Sequence, residues 1–270
     1  MIFRGSTRLQ AVELIETRMF GRVLFLDGAI QLTTADEFVY HEMMAHVPLL
    51  AHGAVRRVLV VGGGDGGVAR EVLRHPGVSS LTLVEIDGEV VDLCRRHLPE
   101  VSGGAFEDPR LTLRIADGIR FVRETDDRFD VIVVDSTDPT GPAAGLFSAD
   151  FYRACRRVLT PGGILVTQAG LPFVQPDGFA ATARALLAAF PAAAVYASTV
   201  PTYVGGMMAH GFAVADADAA PPDEAALAAR LRAARLATRC YTPRLHAAAF
   251  ALPAFVEAKL AGLRRAAGVD

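Results

Sequence analysis

Three aspartates follow short apolar runs in this sequence. Asp65 stands in the loop Gly62-Gly63-Gly64-Asp65-Gly66-Gly67, and Asp135 and Asp138 stand in Asp135-Ser136-Thr137-Asp138-Pro139. A carboxylate beside an aliphatic ammonium can hold its charge or accept its proton. Pro139 pushes Asp138 toward an extended backbone, which suits a stiff loop presenting two acids to a cation. The same segment also reads as a turn closed by aspartate side-chain hydrogen bonds.

The glycine loop contains GxGxxG at Gly62, Gly64 and Gly67, and Glu85 stands 21 residues beyond Gly64. That spacing fits a dinucleotide site, in which the acid holds ribose hydroxyls. Folds that bind S-adenosylmethionine use the same two devices. Asp65 separates the two readings, because a pyrophosphate would sit against this loop and the helix that follows it. Two like charges about 4 Å apart repel by about 4 kcal/mol at an effective dielectric near 20. The ligand favoured is therefore adenosyl with a cationic tail, although Asp65 could also cap the next helix. Asp117, in Asp117-Gly118, could accept a hydrogen bond from an adenine amine or cap a helix beginning at Ile119. Together Asp65, Asp135 and Asp138 make an acidic pocket beside an adenosyl site. Such a pocket repels the free carboxylate of S-adenosylmethionine. It favours the decarboxylated form, which ends in an aminopropyl ammonium.

Strand–helix alternation would position these residues. Apolar runs at 57–61, 81–86, 111–115, 131–135 and 164–168 read as strands buried on both faces. Helical segments are expected at 66–74, 89–97, 119–123, 149–159 and 179–190, with a last pair of strands at 194–199 and 211–215 and a late helix at 223–236. This is an α/β pattern with an open parallel sheet, whose ligands bind beyond the carboxyl ends of the strands. Upstream, residues 9–33 read as a β ribbon turning at Asp27-Gly28, and residues 37–50 as a helix. The division expected is an N-terminal β domain at 1–35 and a catalytic domain at 36–270.

Composition bounds the partners. The chain has 270 residues, 51% of them hydrophobic, and a formal net charge of −3. It shows no basic stripe of the kind that binds nucleic acid. It has no apolar signal region and no run of about 18 apolar residues, so neither export nor a membrane partner is expected. Cys94, Cys155 and Cys240 lie far apart, as reduced thiols of a cytoplasmic protein would. No metal-ligand spacing is evident.

The segments Leu26-Asp27-Gly28, Asp36-Glu37-Phe38-Val39-Tyr40-His41-Glu42, the Gly62–Gly67 loop, Val84-Glu85-Ile86-Asp87, Asp135 to Pro139, Pro201-Thr202-Tyr203 and the tail His246-Ala247-Ala248-Ala249-Phe250 resemble the spermidine synthase family, in the family's order and over almost the whole chain. Gly205-Gly206-Met207-Met208 and Tyr241-Thr242-Pro243 look most like its bacterial members. The resemblance implies a SAM-methyltransferase-like, Rossmann-type open sheet with a small N-terminal β domain. It implies aminopropyl transfer from decarboxylated S-adenosylmethionine, a co-substrate rather than a cofactor, to putrescine. Another amine acceptor (agmatine, cadaverine or spermidine) or methyl transfer to a small molecule is the alternative.

Carried over residue by residue, Gln10, Gly62, Gly64, Glu85, Asp117, Gly118 and Pro142 match donor-binding positions. His41, Asp65, Asp135 and Asp138 match the polyamine site, Tyr40 and Tyr203 flank the reacting amine, and Asp135 matches the catalytic acid/base. A homodimer or homotetramer is implied. The chain starts later than the family usually does, which bears on the assembly. Ala35 stands in a segment where the family commonly carries a further acid near the substrate entrance, which bears on acceptor preference.

Overall fold

The computed structural model describes residues 1–139, 141–216 and 221–268; the side chains of Pro142 and Ala267 lie outside this description. An antiparallel sheet opens the chain: β1 (Phe3–Ser6), β2 (Ala11–Thr17), β3 (Gly21–Leu26) and β4 (Ala29–Thr33), paired in that order. Asp27 and Gly28 make the β3–β4 turn at φ of 48° and 79°. Two consecutive left-handed residues give the twist that suits a two-residue hairpin. There follow α1 (Glu37–His52), β5 (Arg57–Gly62), α2 (Gly67–Leu73), β6 (Ser80–Glu85), α3 (Gly88–His97), α4 (Pro99–Ser102), β7 (Leu111–Ile115), α5 (Gly118–Glu124), β8 (Phe129–Asp135), α6 (Ala149–Val158), β9 (Leu159–Gln168), α7 (Pro176–Ala189), β10 (Ala192–Thr199), β11 (Met207–Val214), α8 (Glu224–Ala233), α9 (Pro243–Ala249) and α10 (Ala254–Ala267). Strand β1 and helices α4, α9 and α10 lie beyond the elements expected from sequence.

The second sheet has the order β10-β11-β9-β8-β5-β6-β7. Strands β5 to β9 are parallel, and β11 runs antiparallel to both β9 and β10. The sheet is thus mixed, not wholly parallel. The physical reason is the short link from β10 to β11: residues 200–206, with Gly205 and Gly206 both at positive φ, can only reverse the chain, because a parallel return needs a long crossover.

Strand order reverses at β5, which has β6 on one side and β8 on the other. The switch point, where such sheets bind ligands, lies between the ends of β5 and β8. Alternate residues of these strands feed two cores. Val58, Val60, Val131 and Val133 pack with Met43, Met44 and Val47 of α1 and with α2, while Leu59, Val61, Ile132 and Val134 pack with Phe151, Tyr152 and Cys155 of α6. A third cluster joins Val12, Leu14, Leu24, Leu26 and Leu32 of the small sheet to Val90, Leu93 and Cys94 of α3. The C-terminal segment is tied to α1 by Glu42, whose buried carboxylate accepts the backbone N–H groups of Arg239, Cys240 and Tyr241 at 2.7–2.8 Å. Among the described residues no helix is long and apolar enough to cross a membrane.

Candidate active site

The glycine loop fits the switch point because it has no side chains there. Gly62 has φ +85°, and a Cβ on it would fall 2.0 Å from the Asp135 carbonyl oxygen. A Cβ on Gly64 would stand 3.1 Å from Glu85 Oε2, and one on Gly67 would stand 2.2 Å from the His41 ring. Glycine thus lets the β5–α2 turn close onto both acids and the histidine. Asp65 accepts the Gly67 N–H at 2.6 Å, so it shapes the start of α2 while its carboxylate lines the cavity.

The first turns of α1 bring Glu37, Tyr40 and His41 to the same place. Asp36, just before the helix, accepts from Thr33 Oγ1 at 2.6 Å and from Thr202 N and Oγ1 at 2.8 and 2.6 Å. It ties the end of β4 and the β10–β11 loop to the head of α1. Tyr40 Oη donates to Asp135 Oδ1 at 2.8 Å, its ring lies edge-on to Tyr203 at 6.2 Å, and Tyr203 Oη donates to the Gln31 carbonyl at 2.7 Å. Burial first, and then the Asp135 charge, raise both phenols, which therefore remain hydrogen-bond donors.

The other oxygen of Asp135, Oδ2, is buried and has no hydrogen-bond partner among the described residues, and Asp135 lines the cavity. Burial, and then the charge of Asp65, push its carboxyl up to about 6, against the opposing pull of His41 and Tyr40. His41 Nδ1 lies 2.5 Å from Glu37 Oε2 and its Nε2 3.4 Å from Asp65 Oδ1. Burial would lower this imidazole, but Asp65 foremost, with Glu37 and Asp135, raises it to about 9. His41, Asp65 and Asp135 place one ligand atom each within 4.8 Å of one another, a spacing that could suit a metal ion. A protonated His41 and the two carboxylates balance one another's charge.

The cavity, about 770 Å³, runs from this cluster to the ends of β6 and β7. Glu85 accepts the Asp87 N–H at 2.8 Å, and burial above all pushes its carboxyl up to about 7. Gln10 Nε2 and Thr7 Oγ1 donate to Asp87 Oδ2 at 2.9 and 2.6 Å, and Asp87 Oδ1 caps α3. The N-terminal sheet is so fastened beside Glu85. Asp117 accepts the Ile119 and Arg120 N–H groups as the cap of α5, and it also lines the cavity. Asp138 accepts from Gln175 Nε2 at 2.8 Å, and Gln168 Nε2 steadies the same loop through the Thr137 carbonyl at 3.2 Å.

Tyr40, His41, Gly62, Gly64, Asp65, Glu85, Gln10, Asp117, Gly118, Asp135, Asp138 and Tyr203 all line this one cavity; the side chain of Pro142 lies outside the described residues. Sequence reasoning assigned no role to the supporting groups Asp36, Glu37, Arg70 and Gln175. Asp36 and Glu37 stood in the family-like segment 36–42, and Glu37 also lies four residues from His41 on one helical face.

Known proteins share this arrangement. A family model described as spermine/spermidine synthase domain matches residues 37–220, and one described as spermidine synthase tetramerisation domain matches residues 1–34. The chain is 51% identical over 257 residues to a polyamine aminopropyltransferase of Ruegeria sp. (strain TM1040), and 51% identical over 256 residues to polyamine aminopropyltransferase 1 of Pseudomonas aeruginosa. Each alignment covers 95% of this chain and 90% of the relative. A crystal structure of spermidine synthase in complex with the transition-state analogue AdoDATO superposes with a TM-score of 0.91 at 38% identity, covering 96% of this chain and 88% of that one. The spermidine synthase of Thermotoga maritima gives 0.89 at 38% identity, covering 96% and 87%. With the family model spanning most of its length and relatives at half identity over nearly all of it, the chain belongs to the spermine/spermidine synthase family, the polyamine aminopropyltransferases.

Proposed function

We propose that this cavity transfers the aminopropyl group of decarboxylated S-adenosylmethionine to putrescine, giving spermidine and methylthioadenosine, with Asp135 as the base. The observation that carries the reading is Asp135 Oδ2, a buried carboxylate oxygen without a partner in the wall of an acidic cavity. The amine nitrogen attacks the aminopropyl carbon bonded to sulfur, that carbon–sulfur bond breaks, and the sulfonium becomes a neutral thioether. The protein's tasks are alignment of two bound substrates and delivery of a neutral amine. An alkyl ammonium has a reference pKa near 10.4, so neutralising it at pH 7 costs about 4–5 kcal/mol. Asp135 takes that proton, and the protonated phenols of Tyr40 and Tyr203 orient the site around it.

Asp65 and Asp138 supply the negative charge for the remaining ammonium groups. His41 borders the polyamine as a charged neighbour of these acids. Gln10, Gly62, Gly64, Glu85, Asp117, Gly118 and Pro142 form the adenosyl end. In this reading residues 1–35 form the small β domain and 36–270 the catalytic one. The protein works in the cytoplasm as a homodimer or homotetramer, an assembly supported by the tetramerisation-domain match at 1–34.

The test incubates the purified protein with putrescine and either decarboxylated or intact S-adenosylmethionine and follows products by mass spectrometry. Methylthioadenosine and spermidine are expected from the decarboxylated donor alone. S-adenosylhomocysteine from the intact donor, with no methylthioadenosine from the other, would overturn the chemistry while leaving the fold in place.

A further inference from the structure

His41 does not stand alone behind the acids. Arg70 of α2 donates through Nη2 to Glu37 Oε2 at 2.8 Å and through Nη1 to Glu37 Oε1 at 3.3 Å. Glu37 Oε2 in turn meets His41 Nδ1 at 2.5 Å, and His41 Nε2 faces Asp65 Oδ1 at 3.4 Å, with Asp135 in the same 4.8 Å cluster. All four side chains are at least largely buried: His41 is 2% exposed, Glu37 8%, Arg70 16% and Asp65 17%.

A neutral imidazole carries one N–H and one lone pair. Here both ring nitrogens face carboxylates, so either tautomer would aim a lone pair at a negative charge. Only an imidazolium presents a proton to both carboxylates at once. Its position has a purpose for the acids. Two carboxylates sharing a site cannot both ionise easily, and one of the pair is driven to hold its proton. A fixed cation beside both eases that conflict.

We propose that Glu37, clamped by Arg70, is a positioning residue that acts through His41: it holds His41 as a cation beside both Asp65 and Asp135, and so lets the base be ionised while Asp65 keeps the charge that receives an ammonium group. This rests on the assignment of Asp135 as the base. The groups facing His41 are Glu37 and Tyr40 on its own helix, Asp65 at the head of α2, and Asp135 at the end of β8, with Arg70 behind Glu37. Gly67 belongs to the same device, since any side chain there would occupy the ring's place.

The experiment is the pH profile of kcat/KM for methylthioadenosine release in the wild type and in Glu37→Gln, a change of shape-conserving kind that leaves Arg70 its bond to Glu71 at 2.8 Å. The variant's acidic limb is expected to move up by about one pH unit or more, lowering the rate near pH 6 about tenfold or more while the alkaline plateau changes far less. A purely structural role would lower the whole profile without moving the limb. Nitrogen-15 spectra of histidine-labelled protein, with His41 assigned by its loss in His41→Gln, give a second readout that needs no turnover. His41 should be doubly protonated in the wild type at pH 7.5 and should titrate at lower pH in Glu37→Gln. A neutral His41 in the wild type, or an unmoved limb in a folded variant, overturns the proposal. A wild type that releases no methylthioadenosine would instead overturn the assigned reaction, and the spectra would still decide whether Glu37 fixes the charge of His41.

Discussion

Two buried acid–histidine clusters form around helices α1 and α2, their α1 histidines five residues apart and Arg70 shared between them. The first, Glu37–His41–Asp65–Asp135, lines the cavity. In the second, His46 Nδ1 meets His75 Nε2 at 2.9 Å, His46 Nε2 lies 3.2 Å from Glu71 Oε2, and Arg70 and Arg74 bond Glu71 at 2.8 and 2.6 Å. Among the described residues each cluster has one fully buried polar atom without a hydrogen bond, Asp135 Oδ2 in the first and His46 Nε2 in the second.

They differ in what surrounds that atom. None of His46, Glu71 and His75 lines the cavity, and Glu71 and His75 are both shifted away from neutral pH. Although burial raises it, Glu71 is held down at about 2 by His46 and the arginines; burial and then His46 hold His75 at about 3. Around the cavity, burial and like charge leave Asp135 at about 6 and Glu85 at about 7. Buried ionisable groups therefore do not by themselves mark a site. An acid marks one when it is poised near working pH and its free oxygen faces space that a ligand can fill.

Substitutions can break or sharpen this contrast. The largest effect is expected for Asp135→Asn, which should slow methylthioadenosine release by roughly 10²–10⁴-fold, the range of a lost general base. Its thermal melting should hold or rise, because the change removes a charge crowded by Asp65. A near-wild-type rate would remove Asp135 from the chemistry. Next comes Glu71→Gln, which should do the reverse: unfolding free energy in denaturant should fall by about 3–5 kcal/mol, as when one partner of a buried ion pair is removed. Its acidic limb should stay in place. Because the Glu71 pKa is depressed from 4.5 to about 2, its stabilisation is complete above about pH 4.5 and is lost as pH falls through about 2. The deficit should therefore be constant between pH 5 and 7, and a limb that moved would show the clusters coupled through Arg70. The smallest effect is expected for Asp138→Asn. It should raise KM for the amine about tenfold with little change in kcat, the worth of one charge-assisted hydrogen bond.

The parts of the site that read clearly in the sequence share a cause. Parallel strands buried on both faces appear as unbroken apolar runs such as Val58–Val61, and the ligand-facing residues come immediately after them. Gly62, Asp65, Glu85, Asp117, Asp135 and Asp138 were all found this way. The antiparallel insertion of β11 was hidden, because alternation of strand and helix says nothing about the direction in which a late hairpin docks. Strand β1 was hidden because Phe3-Arg4-Gly5-Ser6 has a single apolar residue, and α9 because it spans only two turns. The roles of Arg70 and Asp36 were illegible for another reason. Each has a partner on a distant element, Glu37 33 residues from Arg70 and Thr202 166 residues from Asp36, and a charged side chain reads the same whether it meets water or such a partner.

The clasp at Glu42 sets an order of events for the emerging polypeptide. That carboxylate sits one residue beyond His41, in the helix that holds Tyr40, yet its three donors lie 197–199 residues later. Contacts so distant in the chain form late, after the loop between them has closed. Until residues 239–241 are in place, α1 cannot bury Glu42 without stranding a negative charge. The helix that carries Tyr40 and His41 is therefore finished by a segment almost two hundred residues downstream, and the cavity wall it forms waits on that distant contact.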